Sequence, residues 1–207
     1  MDTRSESKQV IDLYERHARD WDADRRRARF VEKDWLNRFI SFVPPGGSVL
    51  DLGCGGSEPM AGYLIGCKFS VTGIDSSPTM ISLCRSRHPG QTWLVHDIRT
   101  LDLGRGFDGV IAWDSFFHLN PDDQRRMFPI FCAHASAGAP LLFSSGPQHG
   151  ESIGSYGNEP LYHASLDSTE YRTLLRENGF DVLNQTVEDA ACAGHTVWLA
   201  RRNEPKS

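Results

Sequence analysis

The sequence lacks the features that mark several large classes of protein. No apolar run approaches the ~20 residues needed to span a bilayer, so no membrane segment is expected. Cys54, Cys67, Cys84, Cys132 and Cys192 are scattered and form no C-x-x-C pair, which argues against a disulfide framework and a zinc site. Eight histidines are present, but no H-x-x-x-H or H-E-x-x-H unit occurs, so no metal is expected. Positive charge is not in excess: 22 Lys and Arg stand against 27 Asp and Glu, a net charge of −5. Nucleic-acid-binding domains carry a basic face, so a nucleic-acid partner is not expected. The one basic run, Arg25-Arg26-Arg27-Ala28-Arg29, reads as a solvated helix face paired with Asp20, Asp22, Asp24, Glu32 and Asp34. Met1 to Asp20 is charged throughout, without the apolar stretch of a signal peptide, and a cytoplasmic protein is expected. No internal repeat or low-complexity tract interrupts the chain, and nothing in it sets an oligomeric state.

What is present is an ordinary globular composition, 39% hydrophobic and 24% charged over 207 residues, enough for one domain with a terminal addition. Val10, Leu13, Tyr14 and His17 recur at helical spacing and predict a helix from Ser5 to about Asp20. A second helix is expected from about Asp24 to Phe42, with Phe30, Val31, Trp35, Leu36 and Phe39 on one stripe and Pro44-Pro45-Gly46-Gly47 as its stop. Residues 1–45 thus read as a helical cap, and 46–203 as the main domain.

Short apolar runs then alternate with helical stretches. Strands are expected at Ser48–Leu52, Phe69–Ile74, Thr92–Val95, Phe107–Trp113 and Leu141–Ser144. Between them lie helices opened by Ser57 as a cap, by Ser77-Pro78 and by Asn120-Pro121-Asp122-Asp123. Such alternation implies a parallel sheet with helices on both faces. A helix from Asp167 to Glu177 follows, with Asp167 and Glu170 as a capping box. Phe180–Val187 and His195–Ala200 are joined by a segment too short for a helical crossover, so they pair antiparallel.

Chemistry concentrates where the first strand ends. Val49-Leu50-Asp51-Leu52-Gly53 runs into the turn Cys54-Gly55-Gly56-Ser57, and ligands of open α/β sheets bind at such carboxyl ends. A dinucleotide fingerprint, G-x-G-x-x-G, would place a third glycine where Glu58 stands. A carboxylate beside a pyrophosphate is repulsive, which argues against a nicotinamide oxidoreductase. A cationic cofactor suits acidic surroundings. Asp75, at the end of the second strand, is placed to accept ribose hydroxyls, and Asp97, after the third, lies where an adenine amino group would be.

Val49-Leu-Asp-Leu-Gly-Cys-Gly-Gly56 resembles the first motif of class I S-adenosylmethionine-dependent methyltransferases. Thr72-Gly-Ile-Asp-Ser-Ser-Pro-Thr-Met80 resembles their second, and His96-Asp97-Ile98 and Phe107–Trp113 their third and fourth. The resemblance runs from about Ser48 to Arg202. It implies a Rossmann-like α/β fold: a doubly wound, seven-stranded, mostly parallel sheet with an antiparallel last strand. It further implies S-adenosyl-L-methionine as cofactor, cradled by Asp51, Gly53, Cys54 and Gly55. Asp75 would bind the ribose, with Ser76 and Met80 beside the adenine, Asp97 and Ile98 holding it, and Trp113 near the sulfur. The family often closes an N-terminal segment over the cofactor, which here would bring in Tyr14 and Trp21.

Methyl transfer asks the protein to align the acceptor and exclude water, and for hydroxyl or ammonium acceptors to accept a proton. Asp114 and His118, after the fourth strand, are candidates, as is His163, with His149 and His195 behind them. Gly146–Pro160 reads as a long glycine-rich binding loop or lid, and Leu161–Leu166 as a short additional strand. The expected activity is methyl transfer to an oxygen or nitrogen of a small molecule. A silent S-adenosylmethionine-binding protein and a methyltransferase acting on a macromolecule are the alternatives. After the fourth strand, Trp113-Asp114-Ser115-Phe116 lacks the Asn/Asp-Pro-Pro-Tyr run of amide and base methyltransferases.

Overall fold

Apolar runs that are buried on both faces suit interior strands of a sheet covered by helices on both sides, and the sheet grows from them. The computed structural model describes residues 3–204. Strands β1 (Ser48–Leu52), β2 (Ser70–Asp75), β3 (Thr92–Val95), β4 (Gly109–Ala112) and β5 (Pro140–Ser145) lie parallel. Strand β8 (Phe180–Asp189) forms the far edge, and β9 (His195–Arg202) fills the gap between β5 and β8, antiparallel to both. The order is β3-β2-β1-β4-β5-β9-β8. This is the seven-stranded, doubly wound sheet expected from the motifs, with the last strand reversed.

Alternation along β1 divides the core. Leu50 and Leu52 face one layer, with Met127, Phe128 and Phe131 of α6 (Pro121–His134) and Tyr171 and Leu175 of α7 (Ser168–Glu177). Val49 faces the other, with α3 (Lys33–Ile40), α4 (Met60–Gly66) and α5 (Pro78–Arg87). Trp35, Leu36 and Phe39 of α3 are almost wholly buried in that second layer. Caps follow the sequence where they carry the right side chain. Ser77 accepts from the Met80 N–H, Asn120 from Asp123 and Asp167 from Thr169.

Four expectations change. The first helix ends at Arg16, and α2 runs from Ala18 to Arg27. The single helix expected from Asp24 to Phe42 is two, because Asp24 to Arg29 carries no apolar residue but Ala28 to hold it on the core. Ala28 turns extended, at φ −62° and ψ 153°, and the stripe restarts at Phe30. Ser57 does not cap a helix: it sits at φ +77° with its Oγ buried and unpartnered, and α4 starts at Met60 after Pro59. Finally, Gly146–Pro160 is no loose loop. Strand β6 (Gly150–Tyr156) pairs antiparallel with β7 (Glu159–Ser165) in a separate two-stranded hairpin. Its turn, Gly157-Asn158, has φ of +57° and +63°, the left-handed pair that a two-residue hairpin needs.

The hairpin holds the N-terminal helices. Leu161, Tyr162 and Ala164 of β7 pack on Val10 and Leu13 of α1 (Thr3–Arg16). Tyr156 meets Trp21 edge-on at 5.0 Å and donates to Asp24 at 3.0 Å, while Glu159 pairs with Arg16 and, at 2.7 Å, with His17. A Cβ at Gly157 would lie 2.5 Å from the His17 ring. Gly157→Ala is therefore expected to destabilise the protein by about 1 kcal/mol or more. Thermal unfolding would show this as a Tm lower by about 3 °C, whereas an unchanged Tm would mean that the hairpin tip does not hold the helix.

Candidate active site

The carboxyl ends of β1, β2 and β4 open into one cavity beneath α1 and α2. Its walls bring together Tyr14, Trp21, Asp51, Gly53, Cys54, Gly55, Asp75, Ser76, Met80, Asp97, Ile98, Trp113, Asp114 and His118. Every residue expected at the cofactor thus meets in one place with Asp114 and His118. His149 and His195 do not line it, nor does His163, on β7, whose ring lies behind His118 at 4.8 Å and beside Phe117 at 5.5 Å.

At the floor, the turn after β1 depends on close approach. Gly53 takes φ +78°, and a Cβ there would lie 2.2 Å from Ser115 Cβ, so only glycine lets the turn cross β4's exit. The Gly55 N–H donates to Asp75 Oδ2 at 2.9 Å, and the Ser77 N–H to Asp75 Oδ1 at 2.9 Å. Each oxygen keeps a lone pair for a further donor. Asp51, only 3% exposed, has no hydrogen-bond partner among the described residues. Burial, and then the charge of Asp75, push its pKa up to about 7. Burial also raises Asp75, against the pull of its two backbone donors.

The remaining charges around the cavity are compensated. Asp97 accepts from the Arg99 backbone and ion-pairs with its guanidinium at 2.6 Å, which outweighs burial and lowers its pKa. It therefore caps the turn Ile98–Thr100 and lines the cavity at once. Asp22 of α2 makes a two-pronged pair with Arg87 of α5, at 2.6 and 2.5 Å. Arg25, read from sequence as part of a solvated face, instead lines the cavity and pairs with buried Glu32. Asp22 and Arg25 were missed as wall residues. The available signal was spacing, since Ala18, Trp21, Asp22 and Arg25 share one helix face. Glu15 ties α1 to the start of α5, accepting from Thr79 Oγ1 at 2.7 Å and from the Ser77 hydroxyl.

Two histidines stand at the β4 side, in opposite states. His118 donates from Nδ1 to the Tyr162 carbonyl at 2.8 Å, and its Nε2 accepts the Tyr14 hydroxyl at 2.8 Å. Burial lowers its pKa to about 4, so it is neutral. The Tyr14 hydroxyl is held protonated by burial and by Asp114 and Asp75. His195, at the start of β9, pairs through Nε2 with Asp114 Oδ1 at 3.0 Å and donates from Nδ1 to the Cys192 carbonyl at 2.6 Å. The hydrogen bond to Asp114 raises its pKa to about 9. Asp114 itself occupies φ +47°, with its N–H donating to Ser144 Oγ at 2.9 Å. Trp113 packs on His195 at 5.4 Å, and its Nε1 is buried without a partner. Among the described residues no three His, Cys, Asp or Glu gather as a metal-ligand set, and no helix is long and apolar enough to cross a membrane.

The fold defines the class: a seven-stranded Rossmann-like methyltransferase sheet of class I. Residues 49–138 match the family profile described as a methyltransferase domain. No curated protein matches it by sequence. Solved structures of the same fold include magnesium protoporphyrin IX methyltransferase from Synechocystis PCC 6803 with bound S-adenosylhomocysteine, at 19% identity and TM-score 0.72, covering 96% of this chain and 100% of that one. A second is the S-adenosylmethionine-bound amino pentose methyltransferase CalS10 from Micromonospora echinaspora, at 19% identity and TM-score 0.70, covering 87% and 95%. A third, the [4+2]-cyclase SpnF, shares 14% identity at TM-score 0.71, with 96% of each chain covered.

The raised Asp51 pKa has a consequence for stability. A carboxyl raised in the fold favours folding at low pH, where it is protonated in both states. That contribution is lost as pH rises from its unfolded value, near 4, through about 7. Asp51→Asn should accordingly lose less Tm than wild type between pH 4.5 and pH 8 in the absence of ligand. Equal losses in calorimetric scans would contradict the burial of that charge.

Proposed function

We propose that the protein transfers the methyl group of S-adenosylmethionine to an oxygen or nitrogen of a small molecule. The observation that carries this reading is the unpartnered, buried Asp51 carboxylate next to Asp75. Two carboxylates without a countercharge suit a ligand with a sulfonium and an ammonium, and repel a pyrophosphate. Asp51 and the Gly53–Gly55 turn would take the methionine end and Asp75 the ribose, with Ser76, Met80, Asp97 and Ile98 around the adenine. The orphaned Trp113 Nε1 offers a donor beside the β4 exit. The bound cofactor supplies a methyl group on a cationic sulfur, already activated for displacement.

The chain's own work is then to orient and to exclude water. Tyr14 and Trp21 roof the cavity, held by the Asp22–Arg87, Glu15–Thr79 and Tyr156–Asp24 contacts. Within the proposed cap, residues 1–45, the lid role falls to α1 and α2, while α3 packs in the core with the 46–203 domain. A roofed cavity admits a small molecule more readily than a macromolecular chain. Among the fold relatives, a 1,6-didemethyltoxoflavin-N1-methyltransferase from Burkholderia thailandensis has 1,6-didemethyltoxoflavin and S-adenosylhomocysteine bound; it shares 18% identity, TM-score 0.68, with 93% of this chain and 85% of that one covered. The cyclase relative shows why the reading rests on the site and not on the sheet. A cytoplasmic location fits this reading.

S-adenosylhomocysteine at about 100 times its dissociation constant should stabilise by ~2.7 kcal/mol, a Tm rise of roughly 5–10 °C, and NAD should give none. Asp75→Ala should bind at least about tenfold more weakly by calorimetry. Because Asp51 must ionise to meet the cation, wild-type affinity should be about tenfold higher at pH 8 than at pH 6, a difference that Asp51→Asn removes. A shift with NAD alone would sink the proposal.

A further inference from the structure

The candidate bases at the β4 side are already committed. His118 has one lone pair, on Nε2, and it accepts the Tyr14 hydroxyl. Its other nitrogen must carry a proton, because a carbonyl can only accept. Both nitrogens of His195 face acceptors, the Cys192 carbonyl and the Asp114 carboxylate, so both carry protons and the ring is an imidazolium. Glu32 adds negative charge from the α2–α3 side. Neither imidazole at this wall is left free to deprotonate a substrate, and the neutral ring of His163 does not line the cavity.

Asp114 remains. Its Oδ1 receives His195 and the Ser144 hydroxyl, at 3.0 and 3.3 Å. Its Oδ2 has no partner among the described residues, and the residue lines the cavity. A carboxylate held against an imidazolium accepts a hydrogen bond well, but it is a weak base toward an alcohol or phenol.

Resting on the methyltransferase reading above, we propose that the acceptor is a neutral amine nitrogen bearing a hydrogen, oriented by Asp114 Oδ2, with His195 as the positioning residue that fixes Asp114. Such a nitrogen needs no prior deprotonation. Its lone pair forms the bond to the methyl carbon while the carbon–sulfur bond breaks and its electron pair stays on sulfur. The positive charge moves to nitrogen beside the carboxylate, and the N–H proton then leaves through Asp114 to water. A hydroxyl acceptor would have to lose its proton first, to a base the site does not offer.

The test has two arms on the full chain. In the first, the histidine rings are observed by nitrogen-15 NMR at pH 7.5. His195 should carry two protons in wild type and one in Asp114→Asn. A singly protonated wild-type His195, or no change in Asp114→Asn, overturns the proposal whether or not any acceptor is found. In the second, labelled methyl transfer from S-adenosylmethionine is measured to matched probes whose nitrogens are neutral at this pH: aniline against phenol, and p-toluidine against p-cresol. Transfer to each amine should exceed its hydroxyl partner at least tenfold, and His195→Gln should lower kcat with little change in the KM for S-adenosylmethionine. Equal or faster transfer to the hydroxyl probes overturns the proposal. Failure of wild type to bind S-adenosylhomocysteine in calorimetry is a different result, and falls on the underlying reading alone.

Discussion

The site depends on negative charge that the fold leaves unbalanced. Asp51 lies one residue before the end of β1, between two mostly buried strands, and among the described residues nothing donates to its carboxyl. Asp75 ends the adjacent strand, braced by two backbone N–H groups. Parallel pairing of β1 and β2 brings both to the same rim, and their mutual repulsion in a poorly hydrated space is what a bound cation relieves. Such an arrangement is costly to an empty protein and favourable only with a partner, as expected of a binding site built at the expense of stability.

The rest of the cavity is arranged so as not to cancel that charge. Arg99 and Arg25 both reach the walls, yet each is spent on a carboxylate, Asp97 and Glu32. Arg87 is spent on Asp22 and the Gly56 carbonyl. These pairs hold the walls and the roof in place while leaving the floor anionic. Partly buried pairs of this kind contribute more to geometry than to net stability. Breaking the Arg25–Glu32 pair would both loosen α2 and release a cation into the cavity.

Most of the sheet was legible because buried parallel strands announce themselves. Val49–Leu52 is a short buried run leading into a glycine turn, and Ser70–Asp75 is a short buried strand ending in an acid. The floor of the site followed, since strand ends define where it lies. What was not legible had physical reasons. The hairpin Gly150–Ser165 is exposed on β6 and carries little alternation there, so only its second strand was read, as Leu161–Leu166. The break at Ala28 hides in a charged run that is helical on one side and not on the other. His195 looked like a minor candidate because its partner Asp114 lies 81 positions earlier, joined only when β9 inserts beside β5. His118 looked like a base because the hydroxyl that fills its lone pair comes from Tyr14, in another element. Pairings across the fold decide protonation, and spacing along the chain does not reveal them.

The placement of β9 also orders events during synthesis. The β1–β2 rim can form once Ser48–Asp75 has emerged, and the roof waits for the hairpin that steadies α1. The slot between β5 and β8 stays empty until residues 195–202 arrive. Until then Asp114 has no imidazolium beside it, and one flank of the central sheet is open. A ribosome-bound chain therefore possesses the floor of its pocket before its reactive wall, which is complete only once β9 has emerged.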